Sequence, residues 1–222
     1  MYSERPEAGF ACAWEHATTG PHLQRVVPDG CIDVIWYGTE LQVAGPNTSA
    51  FLAEMAPGSR LVGLRLRPGT APPVLGVPAD ALRDGQVPLR ELWGPGAGAL
   101  EDALSTAADP VRTLAEALER HRDGTCDPMV PAAVALLGGA VSVRDAAREL
   151  GLSERQLRRR SLASFGYGPK MLQRILRFQR ALRLTRQGVP YAEAACTAGY
   201  ADQAHLAHEI RELGGAPLST LL

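Results

Sequence analysis

No apolar run in the 222 residues reaches the roughly 18 positions that a membrane-crossing helix requires, although 45% of the chain is hydrophobic. The chain therefore reads as two modest domains, each keeping its own core out of water, with no membrane partner. The opening MYSERPEAGF carries neither a basic n-region nor an apolar h-region, so no export is expected and the cytoplasm is the expected compartment. Cys12, Cys31, Cys126 and Cys196 show no C-x-x-C spacing, which argues against a zinc knot, and an intracellular setting keeps them reduced. The five histidines form no H-x-H, and only His16 and His22 fall in the N-terminal part, so no metal and no cofactor is expected. G-x-S-x-G and H-E-x-x-H are also missing, and with them the nucleophile elbow of a hydrolase and the helix of a metalloprotease. The chain is read as a non-enzyme.

Net charge is −1, yet the two parts differ in sign. Residues 127–222 hold 13 Arg and Lys against 8 Asp and Glu, whereas residues 1–126 hold 10 against 16. A basic C-terminal module beside an acidic N-terminal one fits a nucleic-acid reader joined to a part that is a poor partner for phosphates.

The stretch from Val143 to Lys170 spells two short helices around a tight turn. Val143, Ala146, Ala147 and Leu150 recur at helical spacing, and Gly151 can take the positive φ of a sharp exit. Ser153 stands at an N-cap with Gln156 three residues on, the signature of a capping box. With Leu157 pointing inward, Arg155, Arg158 and Arg159 fall on the outer face, where guanidiniums suit phosphates and guanine edges in a major groove. A solvated arginine face on an ordinary helical hairpin would read the same from this segment alone.

The pattern then repeats about 48 residues later. Ala194, Ala195 and Ala198 precede Gly199 and Tyr200, Asp202 is the N-cap candidate, and Leu206, Ile210 and Leu213 form the apolar spine. Each copy closes on glycine followed by proline, as Gly166-Tyr167-Gly168-Pro169 and as Gly214-Gly215-Ala216-Pro217. One long helix over 169–187 joins the two units. The second outer face offers Gln203, Ala204, His205 and His208: one long amide, a methyl and two short rings that carry little charge at neutral pH. Sequence discrimination is therefore expected mainly from Ser153, Arg155, Gln156, Arg158 and Arg159.

This tandem, with RILRFQRALRL between the units and AGYADQAHLAHEIRELGGAP at the end, resembles the DNA-binding domain of the AraC/XylS family of bacterial transcription regulators. The resemblance spans 127–222 and implies a regulator that binds a double-stranded operator and works with RNA polymerase. Two departures stand out. Ser161 occupies a position where the family usually buries an aromatic, and Ala207-His208 stand where a polar residue and an arginine are common.

Up to residue 94 the chain reads as strands: FACAWEHA, HLQRVV, CIDVIWYG, LQVAG and RLVGLRLRPG are short, β-rich and punctuated by Pro-Asp-Gly, Gly-Pro-Asn and Pro-Gly. The expected fold class is thus α+β, a β-sandwich or half-barrel followed by an all-α domain with two helix-turn-helix units. In CIDVIWYG, alternation puts Ile32, Val34 and Trp36 on one face and Cys31, Asp33, Ile35 and Tyr37 on the other, and leaves open which is core. PDGCIDVIW, GLRLRPG and VPLRELWG resemble the shortened, cupin-like sensor domain of some AraC-type regulators. That resemblance implies a small effector, with Cys31, Asp33 and Tyr37 as its candidate contacts. A redox or electrophile sensor using Cys31 is the alternative, against the plainer reading of a buried core thiol.

Over 95–126, Leu100, Leu104, Val111, Leu114 and Leu118 make an apolar stripe with Glu101, Asp102, Glu116 and Arg120 outside it. The stripe suits packing on the sheet and dimerisation equally. Residues 125–127 read as a linker and 128–138 as the leading helix of the C-terminal domain.

Overall fold

The computed structural model describes residues 1–139 and 141–222. Eight strands come first: β1 (Tyr2–Arg5), β2 (Cys12–Ala17), β3 (His22–Val26), β4 (Ile32–Trp36), β5 (Leu41–Ala44), β6 (Phe51–Met55), β7 (Arg60–Leu66) and β8 (Gln86–Pro88). Four helices accompany them, α1 (Pro72–Leu75), α2 (Leu89–Trp93), α3 (Pro95–Ser105) and α4 (Pro110–His121), with a 3-10 turn at Ala79–Leu82. The rest is helical: α5 (Val130–Gly138), α6 (Val143–Glu149), α7 (Glu154–Phe165), α8 (Pro169–Arg186), α9 (Tyr191–Ala198), α10 (Gln203–Gly214) and α11 (Leu218–Leu221).

Six antiparallel strands form one sheet in the order β1-β2-β7-β4-β5-β8, and β3 and β6 pair as a second, two-stranded sheet. Register settles which face of CIDVIWYG is core. Val34 lies opposite Leu64, Trp36 opposite Val62 and Ile32 opposite Leu66, and this face packs on Leu75, Leu100, Leu114 and Leu118 of the helices. Ile35 points the other way, where Trp14, Met55 and Leu61 close the gap to the small sheet. Both faces are thus covered. The indole of Trp14 lies on Gly63, in the space where any larger residue's Cβ would sit, so an aromatic side chain fills the middle of the half-barrel.

Three expectations change. The stripe over 95–122 belongs to two helices, because Asp109 caps a new helix at Pro110 and accepts from Arg112 N–H. Its leucines are buried inside the chain, in the core that backs the sheet. Glu101, placed outside that stripe by periodicity, is buried, accepting from the Leu41 amide at 2.8 Å and from Arg90 at 2.9 Å. Such a carboxylate on an apolar face is tolerated because both oxygens are partnered. Residues 70–94, read as strand territory, hold helical turns between β7 and β8 as well.

Candidate nucleic-acid interface

In the first unit α6 is capped by Ser142, whose hydroxyl accepts from Asp145 N–H, and Gly151 turns the chain at φ +66°. The capping box then opens α7: Ser153 Oγ accepts from Gln156 N–H at 3.2 Å and Gln156 Oε1 accepts from Ser153 N–H at 2.9 Å. Leu157 and Phe165, both fully buried, seat the helix on its own core. Arg155, Arg158 and Arg159 are exposed, and none of them enters a salt bridge among the described residues. Arg160 instead turns back to Asp127, donating Nε to Oδ2 at 2.7 Å. That hydrogen bond holds the Asp127 carboxyl below the usual carboxylate range. Asp127, read as linker, thereby anchors the reading helix. Gln156 is present on the outer face, but its amide oxygen is engaged in the box, so a bidentate adenine contact requires the box to open. Ser161 is fully buried and its hydroxyl finds no partner among the described residues.

The second unit is assembled differently. Asp202 caps α10, accepting from His205 N–H at 2.7 Å. His205 Nδ1 accepts from Ala201 N–H at 3.4 Å, and its ring meets Tyr200 edge-on at 5.2 Å, so it is part of the turn. Gln203, Ala204 and His208 are exposed. Beneath them, α8 grips the unit with two arginines. Arg174 donates to both oxygens of Glu209, at 2.8 and 3.1 Å. Arg177 lies 4.9 Å from the Tyr200 ring centroid and donates to Gly199 O at 3.2 Å. Burial pulls the Glu209 carboxyl up, but the bond from Arg174 and the charges of Arg174 and Arg177 outweigh it, and the net shift is downward. Sequence reading missed these grips. The available signal was the three-residue spacing of Arg174 and Arg177, which puts both on one face of α8.

Both units thus have a helix opened by a side-chain cap and closed by a left-handed glycine. Residues 146–222 match a family model described as a helix-turn-helix domain. The C-terminal part is thus similar to helix-turn-helix domains. The matched stretch takes in α7, the long helix α8 and the second unit. Residues 10–88 match a second model, described as a domain of unknown function (DUF6597). Among solved structures the fold resembles ToxT from Vibrio cholerae: a ligand-free variant at TM-score 0.52, 11% identity and 97% coverage of both chains, and the protein at 1.65 Å resolution at TM-score 0.50, 8% identity and coverage of 99% of this chain and 97% of that one. No curated protein matches the chain.

The candidate contacts in the N-terminal part fall in two places. Cys31, Asp33 and Asp29 gather around Arg65, whose Nε lies 3.0 Å from Asp33 and 3.3 Å from Asp29. Tyr37 sits four residues along the strand from Asp33, half-exposed, with its hydroxyl accepting from Gln86. Burial pushes the Asp33 carboxyl up to about 6 against the opposing pull of Arg65. Burial and the Asp29 charge likewise push the Cys31 thiol well above its ordinary value. A cleft of about 780 Å³ separates Thr48, Arg83 and Asp84 of this part from Arg155, Arg158 and Lys170 beside the first reading helix. The described residues include no helix long and apolar enough to cross a membrane, and no cluster of three or more His, Cys, Asp or Glu suited to a metal.

Proposed function

We propose that this protein is a sequence-specific transcription regulator whose two reading helices enter successive major grooves of an operator, with recognition placed at Arg155, Arg158 and Arg159 and support from Ser153, Gln156, Gln203, Ala204 and His208. The observation that carries the reading is the first outer face: three exposed guanidiniums, unpaired among the described residues, on a helix seated rigidly by Leu157 and its capping box. A merely solvated face would not need a second, similarly capped helix joined to it by one rigid spacer. The boundaries that fit are a strand-rich part over 1–94, a helical connection over 95–126 and the reader over 127–222.

Control by a small effector completes the proposal. One ToxT structure, at TM-score 0.50, holds (E)-4-(8-methylnaphthalen-1-yl)but-3-enoic acid, a small carboxylic acid. Here the cleft between the two parts is lined by Arg83, Arg155, Arg158 and Lys170 against two carboxylates, Asp84 and Glu154, so cations outnumber anions around a space where a carboxylic acid would bridge sensor and reader. The interior of the half-barrel is less suited, because Trp14 occupies it. A redox role for Cys31 is disfavoured by its raised thiol, since the thiolate is the reactive form.

Salt titration of DNA binding by the full chain tests the reading. With about four phosphates neutralised, the binding constant should fall by about a hundredfold between roughly 50 and 200 mM salt. A flat response would reduce the arginines to a solvated surface.

A further inference from the structure

The C-terminal stops of the two reading helices are held by the same small piece of the N-terminal part. At the first, Gly166 adopts φ +84°, its carbonyl accepts from Arg83 Nη1 at 3.3 Å, and the ring of Pro46 occupies the space a Cβ would need. At the second, Gly215 adopts φ +63°, and Arg25 Nη1 donates to Gly214 O at 3.3 Å and to Gly215 O at 3.4 Å. Ala50 N–H donates to Leu213 O at 2.7 Å beside it. Pro46 and Ala50 lie in one loop, 45–50, between β5 and β6. The terminal carbonyls of a helix need partners, and for both readers part of that need is met by this loop and two arginines of the N-terminal part.

The loop is itself braced. Thr48 donates its amide and its hydroxyl to Asp84 Oδ1 at 2.6 and 2.9 Å, Asp84 N–H donates to Pro46 O at 3.2 Å, and Gly45 N–H donates to Gly85 O at 2.9 Å. Three residues separate the contact points Pro46 and Ala50, a reach of at most about 14 Å. A braced segment this short cannot follow one reader without moving against the other. Alongside it, Gln179 of α8 donates to Pro28 O at 2.6 Å, and Val27 packs on the second unit's core.

We propose that loop 45–50, with Arg25 and Arg83, is a bracket that acts together with α8 to fix the relative placement of the two reading helices, and thereby narrows the spacing between the DNA half-sites the protein accepts. The inference rests on the two-reader function proposed above. It assigns Arg25 and Arg83 as positioning residues that act on the C-terminal ends of the two reading helices. The negative balance of residues 1–126 is no obstacle, because the contacts are protein to protein. Major grooves on one face of a duplex recur about every 34 Å, so a bracket that fixes helix placement translates into a preferred number of base pairs between half-sites.

The test uses the full chain. A site is first obtained by selection from random duplexes with the unaltered protein, and its two half-sites are then moved apart or together by one or two base pairs. The unaltered protein should prefer one spacing by about tenfold or more, and Arg25→Ala with Arg83→Ala together should lower that preference by about threefold or more, the loss expected when hydrogen bonds from charged donors are removed while α8 still holds both units. Arg25→Lys with Arg83→Lys should restore most of the preference, since an ammonium can still reach a carbonyl. Inserting two glycines between Asn47 and Thr48, which lengthens the loop between its two contact points, should broaden or shift the preferred spacing. If the double alanine variant keeps the spacing preference of the unaltered protein, at whatever affinity, the bracket is wrong while the two-reader function stands. If the unaltered protein selects no two-part site at all, the two-reader function fails first and the bracket with it.

Discussion

The first reading helix is seated by apolar side chains, Leu157 and Phe165, and turns three guanidiniums to solvent, whereas the second is gripped from below by Arg174 and Arg177 and turns out one amide, an alanine methyl and an imidazole. Both units use the same helix-turn-helix plan. The difference lies in where arginine is spent. A guanidinium that holds Glu209 or the Gly199 carbonyl positions the helix and is lost to DNA; one left free on α7 can take a phosphate or a guanine edge. The comparison teaches that reading strength and the manner of anchoring trade against each other within one domain.

Removing the seats should break the comparison most severely. Leu157→Ala and Leu206→Ala each delete a buried side chain and should cost about 2–5 kcal/mol of stability. Chemical denaturation of each variant, with hydrogen exchange to locate the loosened amides, checks this. Protection should fall in α6 and α7 for the first and in α9 and α10 for the second, and equal loss in both units would show that they fold as one body.

At the DNA face, Arg158→Ala or Arg159→Ala should weaken operator binding by about 1–3 kcal/mol and relax base preference. His208→Ala should change it by less than about 0.5 kcal/mol, as for an ordinary surface position. Binding selections over randomised half-sites compare the variants. If His208→Ala scrambled base preference as much as Arg158→Ala, the readers would be equal after all.

The grip on the second unit should show in its pH response. Glu209 has its pKa lowered on folding, so the stabilisation it gives is present above the unfolded carboxylate value and is lost as pH falls through the lower folded value. Glu209→Gln should therefore cost about 1–2 kcal/mol near neutrality, a figure reduced by the partial exposure of Arg174, and should flatten the acid side of the stability curve. Thermal melts between pH 7 and acid, with and without the substitution, test it; parallel curves would mean that the pair contributes nothing.

The smallest effects should come from the caps. Ser153→Ala and Asp202→Ala should each cost about 1 kcal/mol of stability. They should differ in one respect: Ser153→Ala frees the Gln156 amide, which sharpens the contrast between the readers if base preference at the first half-site changes with it.

What could be read in the chain beforehand follows from how local each signal is. Ser153 with Gln156, Asp202 before α10, Pro169 at the start of α8 and the spine Leu206, Ile210, Leu213 are set by contacts within a few residues, and the structure forms each as the pattern requires. The strands β1, β6 and β8 went unread, since YSER and FLAEM lack alternation and Gln86–Pro88 is very short; they exist because a neighbouring strand supplies their hydrogen bonds. The stripe over 95–122 showed its buried leucines but not its break, where Asp109 and Pro110 start a second helix.

The sequence by itself determined the helix-turn-helix units, their caps and stops, the free arginines of the first reader and the opposite charge of the two parts, because periodicity, capping and charge are local properties of a chain. It took the fold to bury Glu101, to pack Trp14 over Gly63, and to bring Arg25 and Arg83 to the stops of helices 189 and 83 residues away along the chain. The physical reason is the same in each case: a partner for a buried carboxylate or an uncapped carbonyl can come from anywhere on the chain, and nothing in the local pattern of either residue says where.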